Sequence, residues 1–455
     1  MQRLLIFLFL LFVLPLQLSA ADFSFYQHQG KVPGATLLVI GGVDGDEPGA
    51  FHAAASLVTH YQIEKGHLWI VPNLNAAAIL KRQRGDMNLK FASVAKSDPD
   101  YLPVQRIQNI ITRPQVDLVL NLHDGSGFYH PQRISSQRSP YRWGQSCVID
   151  QSSLNGPRFG NLQKMAETTI QHINQKVASK DHYFQLKNVR TRAAKEDIPA
   201  KKSLSYFAVR HNKPAFAVEA SKTDPVHLRT YFHLLALESL MRQMDINFTR
   251  DFPLSPEAVR QLIKDDALIS LADGRIQLDL NNMRPTLNNF PLPLNKKPEF
   301  NTNNPLISLQ PDGQRYRVHY GNNRLAFLQP EYIELDHSIA SVPMSIDGLS
   351  HQISFGSIIP VTEEFKVNVK DGYRVNVIGF ARPGQPDDGH VKIRHSQLNR
   401  KYSIDKSGLL YRVEIYRQER FSGMVLVDFR PRSAKKEPLV AQVTPVNLKS
   451  GERHN

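Results

Sequence analysis

The residues best equipped for chemistry in this chain of 455 residues are few and far apart. Asp44, Asp46 and Glu47 share a glycine-softened turn, Gly41-Gly42-Val43-Asp44-Gly45-Asp46-Glu47-Pro48. His123 follows the apolar run at 116–122, and Glu219 ends a second one at 215–218. Each has a plain explanation when taken alone. An Asp-Gly pair is ordinarily a solvated turn, and a lone His after a strand is more often a hydrogen-bonded structural residue. A carboxylate that ends an apolar strand is harder to dismiss, because burying it unpaired is costly. Gathered at one edge of one sheet, the set offers two types of metal ligand and a spare acid. A catalytic zinc takes three protein ligands and keeps a position open for water. A free carboxylate beside it can take that water's proton and pass it to a leaving amine.

Positioning these residues requires a sheet. Residues 36–40 read as a short buried strand, and 49–55 as a helix with Pro48 in its first turn. Further strands are expected at 67–72, 116–122 and 215–218. Helices are expected at 101–112, 160–177, 203–211 (with Ser203 as a cap) and 226–244. Strands alternating with helices predict an α/β catalytic domain, a mostly parallel mixed sheet flanked by helices. In such sheets ligands bind beyond the carboxyl ends of the strands, where Asp44, His123 and Glu219 are predicted to stand.

The character of the chain changes near Phe252. Turn signals recur at 272–274, 310–313, 320–323, 346–348 and 370–372, with short alternating runs such as 315–319 and 373–378 between them. This predicts two small all-β domains of the sandwich or barrel type, with a seam near Ser341. Residues 285–305, rich in Asn and Pro, read as a long loop. The expected division is a signal peptide at 1–21, a catalytic domain at 22–250, β-rich domains at 251–341 and 342–448, and a tail at 449–455.

The first residues have the form of a secretory signal: Arg3, an apolar run at 4–14, Pro15, and small residues at 19–21. The single cysteine, Cys147, allows no internal bridge. A large exported protein without disulfides suits a bacterial periplasm. A formal net charge of +14 favours polyanionic surroundings. The basic residues are scattered and form no recognised nucleic-acid module, so the reading has no nucleic-acid partner and no stable membrane insertion once the signal is removed.

In their order these pieces resemble the zinc metallocarboxypeptidases of the carboxypeptidase A type. That family's first motif, a His, two residues and a Glu in a turn after a strand, is matched by Asp44-Gly45-Asp46-Glu47. Its carboxylate-gripping segment is matched by Arg84-Gly85-Asp86-Met87-Asn88-Leu89, its later His ligand by His123, and its general base by Glu219 in Val218-Glu219-Ala220-Ser221-Lys222. The resemblance spans about residues 35–245. It implies one zinc ion on Asp44, Glu47 and His123, Glu219 and Arg84 as catalytic groups, and Arg84, Asp86 and Asn88 as substrate contacts. Within the family, export, the Gly45-Asp46-Glu47-Pro48 turn and a β-rich second half resemble the bacterial DL-carboxypeptidases that set helical cell shape. Those enzymes trim peptidoglycan tripeptide stems, removing the terminal diaminopimelate from D-glutamate, and their extra domains are immunoglobulin-like.

Two positions depart from the wider pattern. Asp44 stands where the family has His. Leu89 stands where an Arg would clamp a carboxylate, and leucine offers no bidentate pairing; Arg82 and Lys90 are the nearby cations to consider in its place. Arg142-Trp143-Gly144-Gln145-Ser146 is a candidate pocket wall. Two other readings stand beside this one: a deacylase of the aspartoacylase and succinylglutamate desuccinylase kind, and a catalytically inactive wall-binding scaffold.

Overall fold

The computed structural model describes residues 23–431 apart from 192, 194–197, 266 and 295–297. The expected signal peptide and the tail lie outside the described residues. Strands β1 (Tyr26–Gln29) and β2 (Val32–Ile40) lead into helix α1 (Pro48–His60) and strand β3 (Tyr61–Val71). Helix α2 (Tyr101–Ile111), β4 (Leu118–Gly125), β5 (Ser146–Ile149), α3 (Leu162–Asn174) and β6 (Gln185–Asn188) follow. The unit closes with α4 (Leu204–Arg210), β7 (Ala215–Ser221), α5 (Val226–Gln243) and β8 (Asn247–Arg250).

These strands form one sheet in the order β1-β3-β2-β4-β7-β5-β6, with β8 also on β3. The central pairs β3–β2, β2–β4 and β4–β7 are parallel, as is β5–β6. β1 and β8 run antiparallel to β3, and β5 runs antiparallel to β7. The central strands are buried almost throughout, which is why they read as unbroken apolar runs. α1 and α3 both pack against α5, an 18-residue helix buried over most of its circumference. Ser203 caps α4 as expected, its side chain accepting from the Tyr206 amide. Cys147 is a buried free thiol, pushed up to about 12 by desolvation, and so chemically quiet.

Two expectations need correction. β4 and β7 continue past the residues that were expected to follow them, so His123 and Glu219 lie within strands near their carboxyl ends. The supposed loop at 285–305 contains the strands Thr286–Pro293 and Phe300–Thr302. The first is an edge strand, paired among the described residues only with Asn323–Ile333, so its prolines cost little ladder bonding.

Beyond residue 266 the described chain is β-rich, with a three-stranded sheet, three of four strands each, and two short 3-10 turns at His395–Gln397 and Arg400–Tyr402. Their turns bear out the glycine and aspartate signals, with positive φ at Asp273, Gly313, Gly321, Asp347 and Gly372. A second apolar core gathers residues from Ala267 to Leu328 together with Ile404, Leu410, Phe421 and Leu426, so chain from both sides of Ser341 contributes to it. A third core, from Val342 to Val427, lies within the last two four-stranded sheets.

Candidate metal and active site

The turn after β2 carries Asp44 and Glu47 to the head of α1. Glu47 occupies the N-cap position, yet its side chain makes no cap. Instead Glu47 Oε2 lies 2.8 Å from His123 Nδ1 and accepts from the Asp124 amide at 3.1 Å. The helix head is held by Asp124, whose Oδ2 accepts from the Gly49 amide at 2.7 Å and from Arg229 at 2.6 Å, while Oδ1 faces His233 Nε2 at 3.0 Å. Asp44 Oδ2 is 3.6 Å from the same His123 nitrogen, and Asp44 Oδ1 accepts from the Gly85 amide at 3.1 Å. Donor atoms of Asp44, Glu47 and His123 therefore lie within 4.8 Å of one another, and all three residues are buried.

This donor set fits a divalent cation. Three groups of the right types converge on one spot. Burial would lower His123, but Glu47 and Asp44 hold it well above the ordinary imidazole range. Burial would raise Asp44, but His123 outweighs it and leaves that carboxyl below its ordinary value. The two carboxylates thus favour positive charge at this spot. On the far side of the ring, Asn121 Nδ2 is 2.9 Å from Nε2, while the buried Asn121 Oδ1 has no hydrogen-bond partner among the described residues. Rotating that amide by half a turn gives Nε2–H an acceptor and leaves Nδ1 free as a ligand, the arrangement typical of metal-bound histidine.

Glu219 stands beside the triad. The pairing of β4 with β7 sets it directly opposite His123. Desolvation pushes its carboxyl up to about 7, with Glu47 and Asp44 adding to this and His123 opposing it. Gly125 makes room for it: a Cβ there would fall 2.7 Å from Glu219 Oε2 and 2.5 Å from the Gly144 amide nitrogen. Lys222 bridges Asp46 at 2.5 Å and approaches Glu47 at 3.5 Å, so Asp46 serves that lysine and is absent from the metal triad.

Glu47, His123 and Glu219 open on a cleft of ≈ 550 Å³ that Arg84, Asn88, Leu89 and Trp143 also line. Arg84 is exposed, and Asn88 accepts from the Leu204 amide at 3.2 Å. Asp86 does not reach the cleft; it pairs with Lys90 at 2.9 Å. Lys90 also binds Asp98 and Asp100, so it does not replace the missing Arg. Nor does Arg82, which is turned to Asn322 and Asn323 of the β region. The sequence reading passed over Lys187, whose ammonium lies 3.7 Å from the Trp143 ring centroid and helps line the cleft. No spacing signal marked it, because it sits in a short half-buried strand. A separate cavity of ≈ 940 Å³ lies among the β sheets and holds none of the metal donors.

A mixed sheet whose strand ends bring a buried Asp-Glu-His cluster and a neighbouring acid to one cleft defines a metallocarboxypeptidase. The family model described as the catalytic part of a carboxypeptidase controlling helical cell shape matches residues 4–264, and the C-terminal domain of metallo-carboxypeptidase matches 335–430. The chain belongs to this family of cell-shape-controlling carboxypeptidases. Among solved structures it is similar to the cell shape determinant protein Csd4 of Helicobacter pylori in its apo form. The two are 37% identical, the match covers 90% of this chain and 100% of that one, and the TM-score is 0.79. The mDAP-bound form of Csd4, described as a D,L-carboxypeptidase, matches at 37% identity over 89% of this chain and 100% of that one, also with a TM-score of 0.79. A tripeptide-bound form matches equally well, at 37% identity, 90% and 100% coverage and a TM-score of 0.79. The comparison with curated proteins returns no match. The family assignment sets aside the deacylase and the inactive scaffold.

Proposed function

We propose that this chain is a periplasmic DL-carboxypeptidase that trims peptidoglycan tripeptide stems to dipeptides, releasing the terminal diaminopimelate from D-glutamate, with zinc as its single metal. The observation that carries this reading is the placement of Glu219 opposite His123, with a carboxyl that titrates near neutrality. Asp44, Glu47 and His123 would hold the ion, which when bound polarises the scissile carbonyl and makes water more acidic. Glu219 takes the proton of the attacking water and returns it to the departing amine, so one carboxyl serves as base and then acid. Arg84, at the mouth of the cleft, supplies positive charge where the oxyanion develops. Asn88 orients the leaving residue's carboxylate. Asn121 fixes the His123 ring through Nε2. A periplasmic setting accords with the leader-like first residues and with a cell-wall substrate. Among the described residues no helix is long and apolar enough to cross a membrane. We take the α/β unit that carries the metal donors as the catalytic unit and the β-rich part beyond residue 266 as its support.

The test is incubation of the purified, zinc-loaded protein with the muropeptide tripeptide. Dipeptide and free diaminopimelate are expected. Absence of both, with zinc retained, would overturn the reading.

A further inference from the structure

Asp150 is a buried carboxylate that pairs with no cation among the described residues. It stands immediately after β5, is 3% exposed, and lines the same cleft as Arg84, Asn88 and Glu219. Among the described residues none forms an ion pair with it, and its polar neighbour is Thr191. Burial pushes its carboxyl up to about 6, only partly offset by Thr191. The nearby cation Lys187 is turned away, donating to the carbonyls of Pro140 and Arg142 at 3.2 and 3.0 Å. A carboxylate taken from water without a counter-charge is unfavourable, and a cleft in the path of a charged substrate is where such a group has a use.

Its place in the sheet fits that use. β5 sets Ser146 opposite Glu219 and Val148 opposite Ala217. Asp150 continues the face of Val148, since alternate residues of an extended chain share a side. It therefore lies roughly 13 Å along the strand from Glu219, at about 3.3 Å per residue. Both acids line the one cleft, and that span leaves room between them for the leaving residue, with its scissile nitrogen near Glu219 and its far end near Asp150. On the reading above, that residue is diaminopimelate, whose side chain ends in a free ammonium and a carboxylate.

We infer that Asp150 is the ammonium-recognition group of the leaving-residue pocket, pairing with the distal amine of terminal diaminopimelate. This rests on the DL-carboxypeptidase reading and adds the group that selects its substrate. A terminal residue without that amine would leave Asp150 buried and unpaired, which is how a polar site rejects an otherwise similar ligand.

The test uses binding to the zinc-loaded full chain, measured by calorimetry, with meso-diaminopimelate and L-2-aminopimelate, which lacks only the distal amine. The expected result is that wild type binds diaminopimelate about tenfold or more tightly, the scale of one charged hydrogen bond. Asp150→Asn should weaken diaminopimelate alone and remove most of that difference. Equal affinity of wild type for the two ligands would overturn the inference without recourse to any variant, as would an equal loss for both in Asp150→Asn. Tripeptide turnover by wild type is scored separately. Cleavage without amine preference sinks this inference and leaves the parent reading, whereas amine preference without cleavage does the reverse.

Discussion

His123 and Glu219 are direct partners across the parallel pair β4–β7, so the imidazole and the carboxylate rise from the same face of the sheet at the same level. On the other flank of Glu219 stands Ser146 of antiparallel β5. The acid is thus held by a neighbour on each side, with Gly125 leaving it space. A carboxyl set beside a cation site on a strand paired along both edges, and poised near neutral pH, is suited to shuttle a proton.

Replacing that acid should separate chemistry from metal binding. Glu219→Gln is expected to lower kcat by roughly 10²–10⁴, the usual range for a positioned acid–base group, with zinc content by elemental analysis unchanged. Stability should move the other way. Folded Glu219 keeps its proton to about pH 7, against 4.5 for an ordinary glutamate. The folded state therefore binds more protons than the unfolded state between those values, and stability from this group falls as pH rises through that window. The metal-free variant should melt above metal-free wild type at pH 8 and match it near pH 4.

Metal uptake should be strongly pH-dependent. His123 is held protonated well above its ordinary range by Glu47 and Asp44, and that proton must leave before Nδ1 can ligate. Zinc affinity is expected to rise from pH 6 to pH 8, with proton release detectable by titration in buffers of different ionisation enthalpy. A flat affinity over this range would count against His123 as a ligand.

Asp44→His is expected to hold zinc at least as tightly as wild type, because imidazole suits the ion and removes one negative charge from a set of two carboxylates. The variant forfeits the Gly85 amide bond to Asp44 Oδ1, worth about 1 kcal/mol. A small drop in melting temperature of the metal-free form should accompany retained metal, read by elemental analysis and thermal melting. Loss of zinc would exclude Asp44 from the site.

The β region reaches the metal turn. Asn322 Nδ2 donates to the Gly45 carbonyl at 3.0 Å, and Tyr320 meets His52 of α1 edge-on at 5.1 Å. Asn322→Ala is expected to cost about 1 kcal/mol of stability and to weaken zinc retention, because the turn bearing Asp44 and Glu47 loses a tether. Chelator competition against wild type reads this directly.

Asp124→Ala should be far more damaging. It strips the buried Arg229 of its carboxylate and the Gly49 amide of its acceptor. Loss of one member of a buried pair costs about 3–5 kcal/mol, which chemical denaturation would register as a large drop in midpoint.

Local pattern was enough for the sheet strands, the main helices and the four residues that meet at the cleft, because buried parallel strands read as unbroken apolar runs and polar residues at their ends stand out. Asp150 carried the same mark as Glu219, a carboxylate directly after a short strand, and was overlooked because that strand is only Ser146–Ile149. The edge strand Thr286–Pro293 was hidden because prolines ordinarily argue against a strand, and only its position at a sheet margin makes them harmless.

From sequence alone came the chemical inventory: which side chains can bind a cation, which can move a proton, and that an α/β unit precedes a β-rich one. Tertiary structure decided which of them meet. Strand register placed Glu219 opposite His123 and Asp150 on the same cleft, while ion pairing drew Asp86 and Lys90 away from it, and hydrogen bonds to Asn322 and Asn323 drew Arg82 away. The physical reason is that residue type and spacing are properties of the chain, whereas register and pairing are fixed by contacts between segments far apart along it.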